Sequence, residues 1–119
     1  MATVREILDN HIAAFGRRDL DGIVADYAPD AVLFTARGPL HGHAMIRPMF
    51  QAMLAEFAKP GAGFTLDYLS VAGEYAFILW HGETADNVYE LATDTFRVVG
   101  GKIVMQSFAG LVIPKPSYN

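Results

Sequence analysis

The chain contains no cysteine, which excludes a disulfide framework, thiolate catalysis and any zinc site built on sulfur. No apolar run reaches the ~18 residues that a membrane helix needs. The opening MATVREILDNH lacks the basic start and apolar stretch of a secretory leader. The nine Lys and Arg are scattered among thirteen Asp and Glu, for a net charge of −4. With no basic cluster, nucleic acid is not an expected partner. Charged residues make up only 18% against 52% hydrophobic, a balance that excludes disorder and coiled coil. The expectation is a cytoplasmic protein with neither a membrane nor a nucleic acid as partner.

What is present suffices for one domain. A chain of 119 residues can bury a single core, and no repeat or long linker divides it, so residues 1–119 are read as one unit. Residues 3–17 have helical spacing through Val4, Ile7, Leu8, His11, Ala14 and Phe15. Thr3 and Glu6 form a capping box at its start. Asp19 caps a second, short helix with Leu20, Ile23, Val24 and Tyr27 as its buried face. Ala28-Pro29-Asp30 reads as a turn, 31–35 as a strand, and the Arg37 to His43 segment as a loop. A third helix carries Ile46, Met49, Phe50, Met53, Leu54 and Phe57, and Pro48 predicts that it begins or bends near Ile46. Extended segments follow at 64–72, 74–84, 88–98 and 102–112. Pro114 and Pro116 keep the tail from continuing as a central strand. Three helices before four long strands predict an α+β fold, with an antiparallel sheet and helices on one face.

The last two strands hold the residue most in need of explanation. Asp94 lies mid-strand, and an unpaired carboxylate there must face water, a partner or a pocket. A two-residue turn at Gly100-Gly101 sets Asp94 opposite Ser107; a three-residue loop from Val99 sets it opposite Gln106. The second is preferred, because it gathers Ala92, Asp94, Phe96, Val104, Gln106 and Phe108 on one face.

Three stretches carry a family resemblance: AAFGRRDLDGIVADYAPDAVLF at 13–34, LHGHAMIRPMF at 40–50 and TDTFRVVGGKIV at 93–104. With the order of elements, the chain resembles the nuclear-transport-factor-2-like superfamily, in its SnoaL-like and ketosteroid-isomerase-like branch. The resemblance covers nearly the whole chain. It implies a cone in which a curved sheet wraps three helices around a pocket, and a homodimer through the outer sheet face. It also implies isomerase, cyclase or dehydratase chemistry without a cofactor, or no catalysis at all. Of the three ketosteroid isomerase positions, the oxyanion-binding acid falls on Asp94, the helix-1 tyrosine on His11 and the proton-shuttling carboxylate on Thr35. Only Asp94 keeps its residue type, and a threonine hydroxyl is no base at neutral pH. The match also puts Leu79, His81 and Glu83 toward the pocket. Trp80, alternating with His81, then falls on the outer face beside Tyr89, Leu91 and Met105.

A carboxyl in an apolar pocket keeps its proton to higher pH and can act as acid, base or oxyanion donor; the resemblance implies that oxyanion role for Asp94. His11 and His81 are the candidate proton partners. Tyr27, Phe34, Phe50, Met53, Phe57 and Phe108 are candidate walls for a small apolar ligand, with Thr35, Leu79, Glu83, Phe96 and Gln106 beside them. His41 and His43 flank Gly42 without a third ligand at a recognisable spacing, so no metal is expected. Three readings stay open: a cofactor-free acid–base enzyme using Asp94, a ligand-binding protein, and a dimerisation module with a filled cavity.

Overall fold

The computed structural model describes residues 2–116. Helix α1 (Val4–Gly16) begins with the expected capping box: Thr3 Oγ1 accepts from the Glu6 amide, and Glu6 Oε1 accepts from the Thr3 amide. Its inward stripe is Ile7, Leu8, His11 and Ala14. Asp19 accepts from the Gly22 amide to start α2 (Leu20–Ala25). Tyr27 belongs not to that helix but to β1 (Tyr27–Thr35). Ala28-Pro29-Asp30 is no turn either. It is the bulged part of β1, where the span from Tyr27 to Val32 faces only Ile103 to Met105 on the neighbouring strand. The segment read as a loop contains β2 (Gly38–His41), hairpinned onto β1.

Helix α3 (Gly42–Phe57) starts earlier than Pro48 suggested. Gly42 sets the start. Its φ is +71°, and a Cβ there would lie 2.9 Å from the Pro29 carbonyl, so only glycine lets the chain turn so close to β1. The His43 ring nitrogen Nε2 binds the Tyr27 carbonyl at 2.8 Å. Pro48 sits in the second turn with Ala44 exposed behind it, so the carbonyl it cannot serve faces water.

The remaining strands are β3 (Gly63–Ala72), β4 (Tyr75–Glu83), β5 (Asn87–Val99) and β6 (Lys102–Pro114). Together they give a six-stranded sheet in the order β2-β1-β6-β5-β4-β3. The sheet is mixed rather than purely antiparallel, since β1 runs parallel to β6. It is curved and unclosed, with the helices against its concave face. Leu8, Ile23, Leu33, Ile46 and Ile103 are fully buried between the layers.

Bulges bend the sheet and decide which residues face inward. The β5–β6 turn has two residues, Gly100 and Gly101, both at positive φ. An extra residue in β6, Val104, then shifts the register, so Asp94 pairs with Phe108 and Phe96 with Gln106. Neither expected register holds. The expected face does: the two-residue turn and the bulge together place Asp94, Phe96, Gln106 and Phe108 on one side. A second bulge, in β5 around Glu90, is felt by both neighbouring strands. It turns Tyr89 and Ala92 inward while Leu91 stays exposed.

Candidate functional site

The concave face and the helices enclose an apolar cavity of about 770 Å³. Helix α3 contributes Met49, Phe50, Met53 and Phe57, α1 contributes His11 and Phe15, and the sheet supplies Leu33, Phe64, Ile78, Trp80, Tyr89, Phe96 and Phe108. Among the described residues, Asp94 is the one carboxylic acid in this lining. Thr35, Ala36 and Arg37 form part of the rim at the β1–β2 turn.

Asp94 is only 6% exposed. Its Oδ2 accepts from Trp80 Nε1 at 2.8 Å, and its Oδ1 accepts from Gln106 Nε2 at 2.8 Å. Burial raises its carboxyl above the usual range, and the two donors and the nearby His11 hold it back only in part. A carboxylate offers about four lone-pair directions, so each oxygen has one left for a ligand or a proton.

A chain of polar groups leads away from the acid. The Tyr27 hydroxyl donates to Gln106 Oε1 and lies 3.2 Å from His11 Nε2. His11 Nδ1 lies 2.9 Å from Asp26 Oδ2, at the partly buried junction of α2 and β1. Burial, reinforced by the negative charges of Asp94 and Asp26, raises the Tyr27 hydroxyl well above its ordinary value. Tyr27 therefore stays a neutral phenol. His11 reaches Asp94 through two side chains and not by a direct bond.

The expected site thus assembles in part. His11, Thr35, Phe50, Met53, Phe57, Asp94, Phe96, Gln106 and Phe108 meet around the cavity. Tyr27 stands behind the wall as a link in the polar chain. Phe34 points outward and is 48% exposed. Thr35 Oγ1 is occupied in its own turn, donating to the Gly38 carbonyl and accepting from the Arg37 amide.

The β4 assignment is reversed. His81 is exposed and bound to Asp67 at 2.7 Å, Leu79 shares that outer face, and Glu83 pairs with Lys115 at 3.4 Å. Trp80 is inside. Pairing explains the reversal: Ile78 faces Asp94 and Trp80 faces Ala92 across the β4–β5 ladder, and paired residues share a face. Tyr89 also lies inside, with its ring 5.3 Å from that of Trp80. Sequence reasoning missed Trp80, Tyr89 and Asp26. The β4–β5 hairpin register was the available signal for Trp80. Nothing in the spacing of His11 and Asp26 announces their contact.

Among the described residues no three His, Cys, Asp or Glu side chains converge as a metal site requires, and no helix is long and apolar enough to cross a membrane. Residues 8–106 match the SnoaL-like domain. The chain belongs to the SnoaL-like family. Its fold is that of the nuclear-transport-factor-2-like superfamily. A protein of that fold from Mesorhizobium loti superposes with a TM-score of 0.77 at 24% identity, over 91% of this chain and 90% of its own. A candidate ketosteroid isomerase from Kribbella flavida gives 0.76 at 16% identity, over 98% and 83%. A candidate polyketide cyclase from Sinorhizobium meliloti gives 0.69 at 20% identity, over 87% and 93%. No curated protein matches the chain. Identities this low establish the SnoaL-like fold and leave the activity to the site.

Proposed function

We propose that this SnoaL-like protein is a cofactor-free acid–base enzyme of the isomerase or cyclase type, acting on a small apolar carbonyl compound. The observation that carries the reading is Asp94: a buried carboxyl, raised by its surroundings, opening on a large apolar cavity lined by no other acid among the described residues. An acid of this kind gives its proton to a carbonyl oxygen while an α-hydrogen leaves to water at the cavity mouth. Reversal returns both and exchanges that hydrogen. His11 assists through Tyr27 and Gln106. His81, bound to Asp67 outside, takes no part. The proposal includes a homodimer through the outer sheet face, supported by the exposed Tyr68, Tyr75, Leu91 and Leu111.

The test is α-hydrogen exchange in D2O, followed by NMR, with a panel of cyclic enones, β,γ-unsaturated ketones and 1,3-diketones. Exchange above buffer is expected, falling by about 10²–10⁴-fold in Asp94→Asn. A second reading has its own support. Both Asp94 oxygens already accept a bond, and the hydroxyl of Thr35, the residue that the resemblance aligns with a second carboxylate, is taken up in its own turn. Thermal stabilisation by these ketones, with no exchange above buffer from any of them, would replace the enzyme with a binding protein.

A further inference from the structure

The polar chain behind Asp94 has a direction. Trp80 Nε1 can only donate, and here so does the Gln106 amino group, so Asp94 receives a bond on each oxygen. Gln106 can present its amino group only while its carbonyl oxygen takes the Tyr27 proton. Tyr27, having used its single proton, can only accept from His11 Nε2, 3.2 Å away. The other nitrogen of His11 faces the Asp26 carboxylate and must donate there as well. Followed to its end, this set of donors and acceptors calls for hydrogen on both ring nitrogens.

From this accounting we propose that His11, Tyr27 and Gln106 form a proton-coupled switch that sets whether Asp94 offers its proton to the cavity or to the protein. In the form seen, a proton on Asp94 finds two protein donors and no protein acceptor, so only a ligand can take it. When His11 loses hydrogen from Nε2, that nitrogen becomes an acceptor and the Tyr27 hydroxyl turns to it. Gln106 then turns end for end, its amino group toward the Tyr27 oxygen and its carbonyl toward Asp94. Asp94, protonated in both forms, turns its proton from the cavity to that carbonyl, donating from Oδ1. One proton leaves His11 for solvent and none joins Asp94. Tyr27 and Gln106 keep theirs, and no bond between heavy atoms changes.

The other groups around the relay do not offer an alternative path. Besides His11 itself, Asp26, Tyr27 and Asp94 are its titratable members. Phe50 from α3 and Phe96 from β5 pack edge-on to the His11 ring. His43 and Lys102 approach only the main-chain carbonyls of Tyr27 and Ala25. His11, Tyr27 and Gln106 are thus positioning residues for Asp94, and the inference rests on the acid–base reading of that residue.

The test is a pH titration of the intact protein by NMR. It follows the His11 ring nitrogens, the Asp94 carboxyl carbon and the Gln106 side-chain amide, and it needs no substrate. The Gln106 amide resonances are expected to move through the His11 midpoint, with Asp94 showing an inflection there. In Tyr27→Phe the charges keep their distances but the relay is cut, and the Gln106 inflection at the His11 midpoint should be lost. A Gln106 amide that stays still across the His11 midpoint in the unaltered protein overturns the switch, whether or not the variant folds. So does a Gln106 inflection that survives in Tyr27→Phe. A still amide beside measured ketone exchange removes the switch and spares the enzyme. A moving amide without exchange does the reverse.

Discussion

Replacing Trp80 with Phe isolates one donor of the site. The phenyl ring keeps contact with the surrounding Phe64, Tyr89 and Phe108 rings, but the Nε1 hydrogen that binds Asp94 is gone. A hydrogen bond to a charged group contributes about 1.5–3 kcal/mol, and one to a neutral group about 0.5–1.5 kcal/mol. The smaller ring removes roughly 1–2 kcal/mol more through lost packing, independent of pH. The variant should therefore lose about 2.5–5 kcal/mol where Asp94 is ionised, and ~1 kcal/mol less where it is protonated. The sign follows from the raised carboxyl. Between the ordinary unfolded carboxyl value and the higher folded one, the native state binds more protons than the unfolded chain. Stability attributable to Asp94 is thus greatest below that window and falls as pH rises through it. Removing a donor that favours the carboxylate steepens the fall. Urea denaturation of both proteins from acid to neutral pH, at constant m-value, reads the difference directly. A loss that is flat with pH, or larger in acid, would refute the argument that Trp80 serves a titrating Asp94.

Glu56→Ala removes an acceptor shared by Thr84, Asn87 and the Tyr89 hydroxyl; a loss of about 2–4 kcal/mol in urea denaturation is expected, and one below 1 kcal/mol would mean that water replaces the carboxylate. Gly42→Ala should cost about 1–3 kcal/mol, because its positive φ and the nearby Pro29 carbonyl leave no room for a methyl group; an unchanged melting temperature would contradict this. Leu111→Glu places a charge on the exposed outer face and should convert the expected homodimer to monomer in sedimentation velocity. A dimer that persists would move the interface elsewhere.

Local rules were legible in the sequence, and long-range ones mostly were not. Thr3 with Glu6, Asp19 and Gly100-Gly101 act within a few residues of themselves, so the two helix starts and the place of the last turn could be read, though not the hairpin's register. The inward set around Asp94 was readable for a different reason. A three-residue loop and a two-residue turn plus one bulge differ by two in register, so both leave the same residues facing inward. The parallel β1–β6 pairing depends on chain segments some seventy residues apart, and no local signal encodes it. Pro29 and Pro48 misled because each is tolerated in an unusual place, one in a bulge and one in a helix whose freed carbonyl is wetted. On β4 the alternation was right and the side was wrong. The family resemblance puts His81 toward the pocket, whereas the β4–β5 pairing puts Trp80 in and His81 out.

The extra residue at Val104 also bears on how the hairpin closes. Zipping outward from Gly100-Gly101 forms the Val99–Lys102 and Val98–Ile103 pairs first, and then meets a fork. Continuing without the bulge places Ser107 against Asp94 and sends Gln106 and Phe108 outward; skipping Val104 does the opposite. The turn itself favours neither branch. What separates them is whether Phe96 and Phe108 find α1 and α3 already waiting, so this hairpin, cut from the helices, should zip into a mixture of registers.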